Sequence, residues 1–512
     1  MKYRLLISVI ALITSSACQT ESSNVVLSKS TTSVSTRHLE VSKVVTQDIL
    51  LPNIRAGAVN ERGVLTVPVN RSKPMGEMID VEFFRFKRLP EANPDTPPIF
   101  LLRGGPGYPG LGDAIKNEKL YERAIYPYTK ITDLVIVGQR GFGTSGDLTC
   151  DSVPPSSLNE VSNSEESRNR YRQTAEQCRD KYLAQGRDLS GYNVKEMAAD
   201  VADIARGLNY DGIQLDGTSF GSFWAMAVIR QHPDLVARAT LSALEGPDHT
   251  FDRPGAVKAA LEAMASSAAS SDRYKDRIPE EGLLEAYEAV IQRAENSPIP
   301  TTFIEEDTGE TISFDIDADA LRRFAYGVRR KPVFRHVMKD WPDDLLKIIE
   351  GDFSDVATRL YGYMLGTDAD NAAEEIIECS SGISSNRRRA INSDPAKSLI
   401  NPAVLFDTSI CAVWDDAIVA MDRSDFSSDI PVVLIQGTWD ISTPFEDAKS
   451  VRMLFINNHF VTIEGGSHGA RFEAEDHDSS FISAIDHWYA TGDASKIDQS
   501  ISLPELRWDD ET

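Results

Sequence analysis

A five-residue turn, Gly217-Thr218-Ser219-Phe220-Gly221, constrains the fold more than any other feature of this sequence. An apolar run precedes the turn at 213–215 and a longer one follows at 223–228, which predicts a strand, a sharp turn and a helix. Glycines two residues either side of a serine are typical of a nucleophile elbow, in which bulkier side chains would collide with the neighbouring strand and helix. The pattern predicts a Ser219 hydroxyl above a sheet, at a helix N-terminus that favours negative charge. Because this spacing also recurs by chance, the interpretation depends on partners elsewhere in the chain.

Two later strand ends supply the partners that a serine nucleophile needs. The apolar run 432–435 leads to Asp440, and the short strand predicted over 460–463 leads into a glycine-lined loop that carries His468. A histidine acts as the base, and a carboxylate orients the histidine. Singly, Asp440 is also typical of a turn or helix cap, and His468 of an ordinary loop. Their order after Ser219 favours a catalytic triad of Ser219, Asp440 and His468.

A glycine-rich loop completes the predicted machinery. Arg103-Gly104-Gly105-Pro106-Gly107 directly follows the apolar strand predicted over 98–102. Acyl transfer needs backbone N–H donors aimed at the oxyanion, and loss of one such donor typically lowers the rate on the order of 100- to 1,000-fold. We expect the amides of Gly105 and Phe220 to form this oxyanion hole. A simple Gly/Pro turn is the alternative interpretation of the loop.

These motifs together resemble the prolyl-aminopeptidase family of α/β-hydrolases, peptidase family S33, in its larger tripeptidyl-aminopeptidase-like branch. Residues 103–107 are similar to its HGGPG segment, and Gln139-Arg140-Gly141-Phe142-Gly143-Thr144-Ser145 is similar to its DQRGxGxS segment. The sequence departs from the family pattern at Arg103, Gly138 and Ser222. The resemblance implies an α/β-hydrolase fold and an aminopeptidase that cleaves short peptides from their free N-terminus, and the triad needs no metal or organic cofactor.

The resemblance also implies carboxylates that hold the α-ammonium group of the substrate. Glu245, at the end of the strand predicted over 240–244, is a possible substrate-binding residue, and capping of the strand end is the alternative. An esterase, lipase or acyltransferase would use the same triad, and a non-catalytic surface protein could retain the scaffold. Haloalkane dehalogenase or epoxide hydrolase chemistry is disfavoured, because those enzymes have an aspartate where this chain has Ser219.

Strands that alternate with helices predict the domain organisation. They indicate an α/β protein whose mostly parallel sheet is covered on both faces, with core segments at 45–249 and 428–495. One of the helices is predicted over 194–208. The pattern over 250–427 is mainly helical, with a small hairpin at 305–315, and predicts a cap over the active site or, alternatively, a separate binding domain. A C-terminal tail is predicted over 496–512. The net charge of −25 argues against nucleic-acid binding.

The N-terminus predicts export. Lys2 and Arg4 precede an apolar run at 5–13, which ends in Ser15-Ser16-Ala17-Cys18. Residues 1–18 therefore resemble a lipoprotein signal peptide, with lipidation of Cys18 and outer-membrane anchoring on the periplasmic side as the hypothesis. An ordinary signal peptide and a soluble periplasmic protein are the alternative. Residues 19–44 predict a flexible tether.

The number of cysteines is consistent with export to an oxidising compartment. Besides Cys18 the chain has Cys150, Cys178, Cys379 and Cys411, which allow three disulfide pairings or could remain buried thiols. The spacing implied by the family resemblance, and the position of each pair within one segment, favour Cys150–Cys178 and Cys379–Cys411.

Overall fold

A computed structural model describes most of the chain. The described residues are 28–32, 42–49, 60–107, 118–151, 164–305, 309–327, 331–365, 371–400, 408–421, 423 and 426–508. The predicted signal peptide, with the proposed lipidation site Cys18, lies outside these residues. In the described part of the chain, none of the helices combines the length and the apolar composition needed to cross a lipid bilayer.

A large, mostly parallel sheet forms the centre of the protein. Its strands and those of a small hairpin are, in chain order, β1 (Ser28–Thr32), β2 (Lys43–Ile49), β3 (Asn60–Pro68), β4 (Met78–Phe86), β5 (Ile99–Leu102), β6 (Leu134–Val137), β7 (Ile213–Ser219), β8 (Val236–Leu244), β9 (Ile299–Ile304), β10 (Thr311–Ile316), β11 (Val432–Gly437), β12 (Asn458–Glu464) and β13 (Ser500–Ser502). Within the described residues, 11 of them form one sheet in the order β1-β2-β3-β4-β6-β5-β7-β8-β11-β12-β13. Pairing is antiparallel from β1 through β4 to β6 and parallel from β6 to β13. This confirms the predicted sheet.

Helices cover both faces of this sheet. The α-helices are α1 (Glu118–Ala124), α2 (Tyr126–Thr129), α3 (Ser164–Ala184), α4 (Val194–Gly207), α5 (Phe220–Gln231), α6 (Pro254–Ala269), α7 (Leu283–Asn296), α8 (Ala318–Phe324), α9 (Arg335–Met338), α10 (Trp341–Glu350), α11 (Ser354–Leu365), α12 (Ala372–Ser381), α13 (Ser385–Ser393), α14 (Phe445–Val451), α15 (Ala470–His477) and α16 (Ser479–Thr491). Short 3₁₀ helices lie at Leu189–Gly191, Pro233–Leu235, Pro395–Ser398, Thr408–Trp414 and Arg452–Leu454.

The apolar run of β11 shows why the sheet is buried on both sides. Val432 and Leu434 pack into the apolar cluster that includes α4 and α5. Val433 and Ile435 point to the opposite face and pack into the cluster that includes α15 and α16. Since successive side chains of a strand alternate between faces, an uninterrupted apolar strand requires a layer of helices on each side.

The helix predicted over 194–208 is confirmed as α4. The Asn193 side chain accepts a hydrogen bond from the Glu196 N–H and so caps the first turn. Met197, Val201 and Ile204 are fully buried and lie on one side of the helix, where they pack against the sheet.

The insertion between β8 and β11 has an apolar core of its own. Side chains of α6, α7, α8, α10, α11 and β10 form a cluster separate from the two clusters of the sheet. The hairpin expected at 305–315 exists, but its strands are β9 and β10. The prediction placed the first strand too late in the chain, because the alternating residues of β9 are only half-buried and give a weak pattern.

Part of the last third of the predicted cap packs with the core of the protein rather than with the rest of the insertion. Ile376 and Ile377 of α12, together with Trp414, pack into the sheet cluster that contains α4 and α5. The packing boundary between core and insertion therefore does not lie at residue 427. A helical pattern in the sequence shows an apolar face but does not show which cluster that face joins.

Two segments that the sequence predicted as a tether and a tail contain strands in the structure. β1 lies inside the range 19–44 that the sequence predicted as a tether, and it pairs with β2. In the predicted tail over 496–512, β13 pairs with β12, and the Trp508 side chain is 3 % exposed within the apolar cluster of the insertion. Both segments are too short to show a clear periodicity, and only their partners stabilise them as strands.

Candidate active site

The Ser219 turn has the geometry that its glycines predict. Ser219 ends β7 and precedes α5, and its backbone φ of 58° and ψ of −133° are rare for a residue with a side chain. A Cβ atom at Gly217 would lie 2.4 Å from the Gly221 carbonyl oxygen, and a Cβ at Gly221 would lie 2.0 Å from the Leu102 carbonyl oxygen. Both positions therefore require glycine, and the strand, sharp turn and helix are present as expected.

Asp440 and His468 are directly hydrogen-bonded. His468 Nδ1 lies 3.0 Å from each carboxylate oxygen of Asp440, which is fully buried. The Thr443 hydroxyl and the backbone N–H groups of Ser442 and Thr443 also donate to this carboxylate. Burial favours the neutral form of Asp440, but its attraction to His468 and these hydrogen bonds outweigh burial and lower the pKa of the carboxyl. Asp440 is therefore ionised at neutral pH and orients the His468 ring.

One cavity is lined by Ser219 and by two residues that hydrogen-bond to Asp440. Its volume is about 140 Å³, and it is lined by Gly105, Pro106, Ser219, Phe220, Glu245, Thr250, Glu378, Ser381, Ser442 and Thr443. The Thr443 hydroxyl lies 3.4 Å from His468 Nδ1. Ser442 and Thr443, whose N–H groups both donate to Asp440, line this cavity together with Ser219, so the Asp440–His468 pair contacts part of the cavity wall.

Both residues expected at the oxyanion hole lie in this cavity. Gly105 and Phe220 line it beside Ser219. A Cβ atom at Gly104 would lie 3.0 Å from the Ser219 Cβ and 3.2 Å from the Thr218 carbonyl oxygen. The loop 103–107 therefore packs directly against the serine turn, as close approach of backbone donors to a reacting carbonyl requires.

A segment of the insertion lies on the His468 loop. The His468 N–H donates to the Val333 carbonyl oxygen at 3.1 Å, and the Phe334 ring lies 6.3 Å from the His468 ring, measured between centroids. The Arg335 guanidinium donates to the Gly465 carbonyl oxygen. The insertion thus contacts the proposed catalytic base directly, which is the arrangement expected of a cap.

The order of the strands and the position of the serine identify the architecture. Eight consecutive strands run β3-β4-β6-β5-β7-β8-β11-β12, with β4 antiparallel, Ser219 at the end of β7 and the insertion after β8. A family model described as TAP-like protein matches residues 397–500. The chain has the α/β-hydrolase fold.

Similar solved structures are distant in sequence. A thermophilic esterase from Thermogutta terrifontis is 14 % identical, with 84 % of this chain and 99 % of that chain covered and a TM-score of 0.32. A serine hydrolase from Cycloclasticus zankles is 12 % identical, with 84 % and 98 % covered and a TM-score of 0.33. An epoxide hydrolase from an endophytic Streptomyces is 12 % identical, with 88 % and 99 % covered and a TM-score of 0.34. Among curated proteins, none matches this chain.

Two carboxylates face the cavity of this α/β-hydrolase fold. Glu245 follows β8 and was predicted from the sequence, whereas Glu378 comes from α12 and was missed. Burial, together with the nearby Asp252, raises the pKa of Glu245 to about 8. Burial, together with Glu374 and Glu245, raises the pKa of Glu378 well above its usual value. Its position directly before Cys379 was the one sequence signal that singled out this part of α12.

No described side chain donates a hydrogen bond to the carboxylate of Glu245 or Glu378. Within the described residues, no group of three or more His, Cys, Asp or Glu side chains is arranged to hold a metal ion. Both side chains are only partly exposed. Carboxylates with little access to water and no side-chain donors are unfavourable, so this part of the cavity is suited to a ligand that supplies positive charge.

Ser222, a departure from the family pattern, connects Glu245 to the serine turn. The Ser222 hydroxyl donates to the Ser219 carbonyl oxygen at 2.7 Å and accepts from the Glu245 N–H at 2.9 Å. A glycine at position 222 would lack both bonds. The Ser222 side chain therefore links the turn to the start of the Glu245 segment, in addition to the pairing of β7 with β8.

Both predicted disulfides are confirmed. Cys150 pairs with Cys178, and Cys379 pairs with Cys411, at sequence separations of 28 and 32 residues. The second bond holds the end of α12, where Glu378 lies, against the segment at 408–414. Two disulfides are typical of a protein that folds in an oxidising compartment.

Proposed function

We propose that the protein is a serine hydrolase that cleaves short peptides from their free N-terminus. The observation that carries this proposal is the presence of two carboxylates without donors, Glu245 and Glu378, in the cavity that contains Ser219. A peptide with a free N-terminus brings an ammonium group, which would pair with these carboxylates and favour their ionised forms.

The proposed reaction uses Ser219, the Asp440–His468 pair and two backbone amides. His468 Nε2 accepts the proton of the Ser219 hydroxyl as its oxygen attacks the scissile carbonyl, and Asp440 stabilises the resulting imidazolium. The amides of Gly105 and Phe220 donate to the oxyanion. His468 then gives the proton to the leaving amine, which leaves the N-terminal fragment bound to Ser219 as an ester. Water, deprotonated by His468, attacks this ester, His468 returns the proton to the Ser219 oxygen, and the fragment leaves with a free carboxyl group.

The lining of the cavity favours peptides over long-chain esters. Its residues include Glu245, Glu378, Ser381, Ser442 and Thr443, and most of the lining is polar. A long acyl chain would displace water from these groups without giving them hydrogen-bond partners. A serine at position 219, in place of an aspartate, favours acyl-enzyme chemistry over the alkyl-enzyme chemistry of dehalogenases and epoxide hydrolases.

A paired peptide library tests the proposal. Each short peptide is offered with a free and with an acetylated N-terminus, and products of the wild type and of Ser219→Ala are identified by mass spectrometry. We expect N-terminal fragments only from the free-amine peptides and only with the wild type. If the wild type instead cleaves p-nitrophenyl esters and no peptide, the protein is an esterase and the aminopeptidase proposal is wrong.

Substitutions on α12 test the ammonium site. Glu378→Gln removes the charge and keeps the size, and we expect KM for free-amine peptides to rise about 10- to 100-fold, the usual worth of a charged hydrogen bond. Glu374→Gln is the matched control, because Glu374 lies on the same helix but is exposed. Equal KM values for the two variants would exclude Glu378 from the ammonium site.

The proposed location is the periplasm, with a lipid anchor at Cys18. It is supported by the N-terminal sequence pattern and by the two disulfides, which fit an oxidising compartment. The intact mass of the membrane-extracted protein tests it, with diacylglyceryl and acyl groups expected on an N-terminal Cys18. A mass that corresponds to a free, unmodified Cys18 would contradict the anchor.

A further inference from the structure

The Gln139 side chain directs three hydrogen bonds to one loop. Its Nε2 donates to the carbonyl oxygens of Arg103 at 3.1 Å and Gly104 at 2.9 Å, and its Oε1 accepts from the Gly107 N–H at 2.7 Å. The residue is 5 % exposed. Both amide hydrogens of Gln139 are therefore used on the loop that carries Gly105, in a place where water does not compete.

This loop depends on such external bonds for its shape. It begins where β5 ends, and Gly105 and Gly107 have φ values of 111° and 98°, which are incompatible with a continued strand. Carbonyl and N–H groups that leave a sheet ladder need other partners. Gln139 supplies them on both sides of Gly105, at Gly104 and at Gly107.

The backbone around Gln139 is itself held firmly. The fully buried Arg140 guanidinium pairs with Asp200 and donates to the Val69 carbonyl oxygen. On the other side, the Gly138 N–H donates to the Glu82 carbonyl oxygen at 2.8 Å. In the family-like Gln-Arg-Gly segment, Arg140 therefore holds the backbone in place while the Gln139 side chain contacts the loop.

From this arrangement we infer that Gln139 is a positioning residue, which holds loop 103–107 so that the Gly105 amide can stabilise the oxyanion. The inference rests on the proposed function, because Gln139 acts through Gly105 and touches no reacting atom. Since Gly104 packs against Ser219, a small shift of the loop changes the position of Gly105 relative to the attacked carbonyl.

The chemistry of a side-chain amide makes the inference testable. A carboxylate at position 139 would accept from Gly107 but could not donate to the carbonyl oxygens of Arg103 and Gly104. For Gln139→Glu we expect kcat to fall about 10- to 100-fold, less than the loss of an oxyanion donor itself. KM should change less than about twofold, because Glu245 and Glu378 are untouched.

Gln214 offers a matched control. It is fully buried and also makes three bonds, as its Nε2 donates to the carbonyl oxygens of Pro97 and Tyr489 and its Oε1 accepts from Arg238. It lies near the start of β7, at the opposite end from Ser219. Gln214→Glu makes the same chemical change away from the cavity, and we expect it to lower the melting temperature without lowering kcat.

The first readout is the rate at which a fluorophosphonate labels Ser219, which needs no knowledge of the substrate. The phosphonyl oxygen occupies the oxyanion hole during labelling, so Gln139→Glu and Gln139→Met should both be labelled about 10- to 100-fold more slowly than the wild type and Gln214→Glu. If Gln139→Glu does not fold, the labelling rate of Gln139→Met alone tests the inference.

A pH series adds a signature that general destabilisation would not produce. The carboxyl that Gln139→Glu introduces becomes protonated as the pH falls, and a protonated carboxyl can again donate one hydrogen bond to the loop. The labelling rate of Gln139→Glu, divided by the wild-type rate at the same pH, should therefore rise toward low pH. The corresponding ratio for Gln139→Met should stay constant, because a methionine side chain does not titrate.

The outcomes separate the two proposals. A wild type that the fluorophosphonate does not label would contradict the proposed function. A labelled wild type, with both Gln139 variants labelled at the wild-type rate, would overturn the positioning role and leave the proposed function standing.

Discussion

Two groups of acidic residues in this protein differ in whether other side chains donate hydrogen bonds to them. Below the serine turn, Asp216 is fully buried and both of its oxygens accept from Arg471, while the hydroxyls of Tyr128 and Tyr489 also donate to it. At the cavity, Glu245 and Glu378 receive no hydrogen bond from a described side chain.

The difference distinguishes a structural charge from a charge that is suited to a ligand. The Asp216–Arg471 pair joins β7, which ends at Ser219, to α15, which begins two residues after His468. It stabilises the relative position of two parts of the proposed triad. The cavity carboxylates lower the stability of the protein, because burial without a partner opposes ionisation. Under the proposed function, the ammonium group of the substrate supplies the missing positive charge.

Removing the cation of the Asp216–Arg471 pair should have the largest effect on the stability of the protein. Arg471→Met leaves the Asp216 carboxylate buried without its cation, and we expect the free energy of unfolding to fall by about 3–5 kcal/mol. The double variant Asp216→Asn/Arg471→Met should recover part of this loss, because no uncompensated charge remains. Chemical denaturation measures both. A single variant as stable as the wild type would contradict the structural role assigned to this pair.

Removal of each disulfide tests whether the bond at the end of α12 positions Glu378 for substrate binding. Cys379→Ser/Cys411→Ser and Cys150→Ser/Cys178→Ser open loops of similar length, and each should lower the free energy of unfolding by about 3–4 kcal/mol. Only the first double variant should also raise KM for free-amine peptides, by about 3- to 10-fold, because it loosens the end of α12. Equal KM values in the two variants would show that the bond has no part in placing Glu378.

Neutralising a cavity carboxylate should stabilise the protein and weaken binding together. Burial raises the pKa of Glu245 from 4.5 to about 8, so the folded protein holds this proton more tightly than the unfolded chain. The corresponding stability is fully present below about pH 4.5 and is lost as the pH rises through 8. At pH 8, Glu245→Gln should therefore be more stable than the wild type by about 1–3 kcal/mol, and the difference should vanish toward pH 4.5.

The same variant should bind free-amine peptides more weakly, with KM about 10-fold higher. Melting temperatures over a pH series and KM values for free-amine peptides measure the two effects. A variant that is less stable than the wild type at pH 8 would show that Glu245 is a paired, structural residue like Asp216.

An exposed ion pair should contribute the least to the stability of the protein. Arg123 of α1 and Asp476 of α15 form a salt bridge, but their side chains are 57 % and 64 % exposed. Asp476→Asn should change the free energy of unfolding by less than about 1 kcal/mol, because water and salt screen the pair. A larger loss in the same denaturation experiment would mean that burial is not what separates these sets of charges.

Local patterns in the sequence were sufficient for the framework of the proposed site. The turn around Ser219 was predictable because Gly217 and Gly221 meet backbone oxygens at distances that no Cβ tolerates. Asp440 and His468 were predictable because each follows a short apolar strand, and parallel strands bring their carboxyl ends to one edge of the sheet.

Other features could not be predicted, because they depend on partners far along the chain. The role of Gln139 is absent from its own segment and arises from contacts with loop 103–107. The strand character of β1 and β13 depends on the strands beside them. These two strands are too short for a periodicity that would indicate their structure.

The amino-acid sequence by itself predicted the turn around Ser219, the order of the proposed triad, the glycine loop, and the alternation of strands and helices. Each of them depends on local sterics or on the period of apolar residues. The folded chain was needed to show that α12 joins the apolar cluster of the sheet rather than that of the insertion, and that Glu378 and Glu245 share one cavity. Burial and charge proximity are properties of the folded state, because they arise between residues that the sequence keeps far apart.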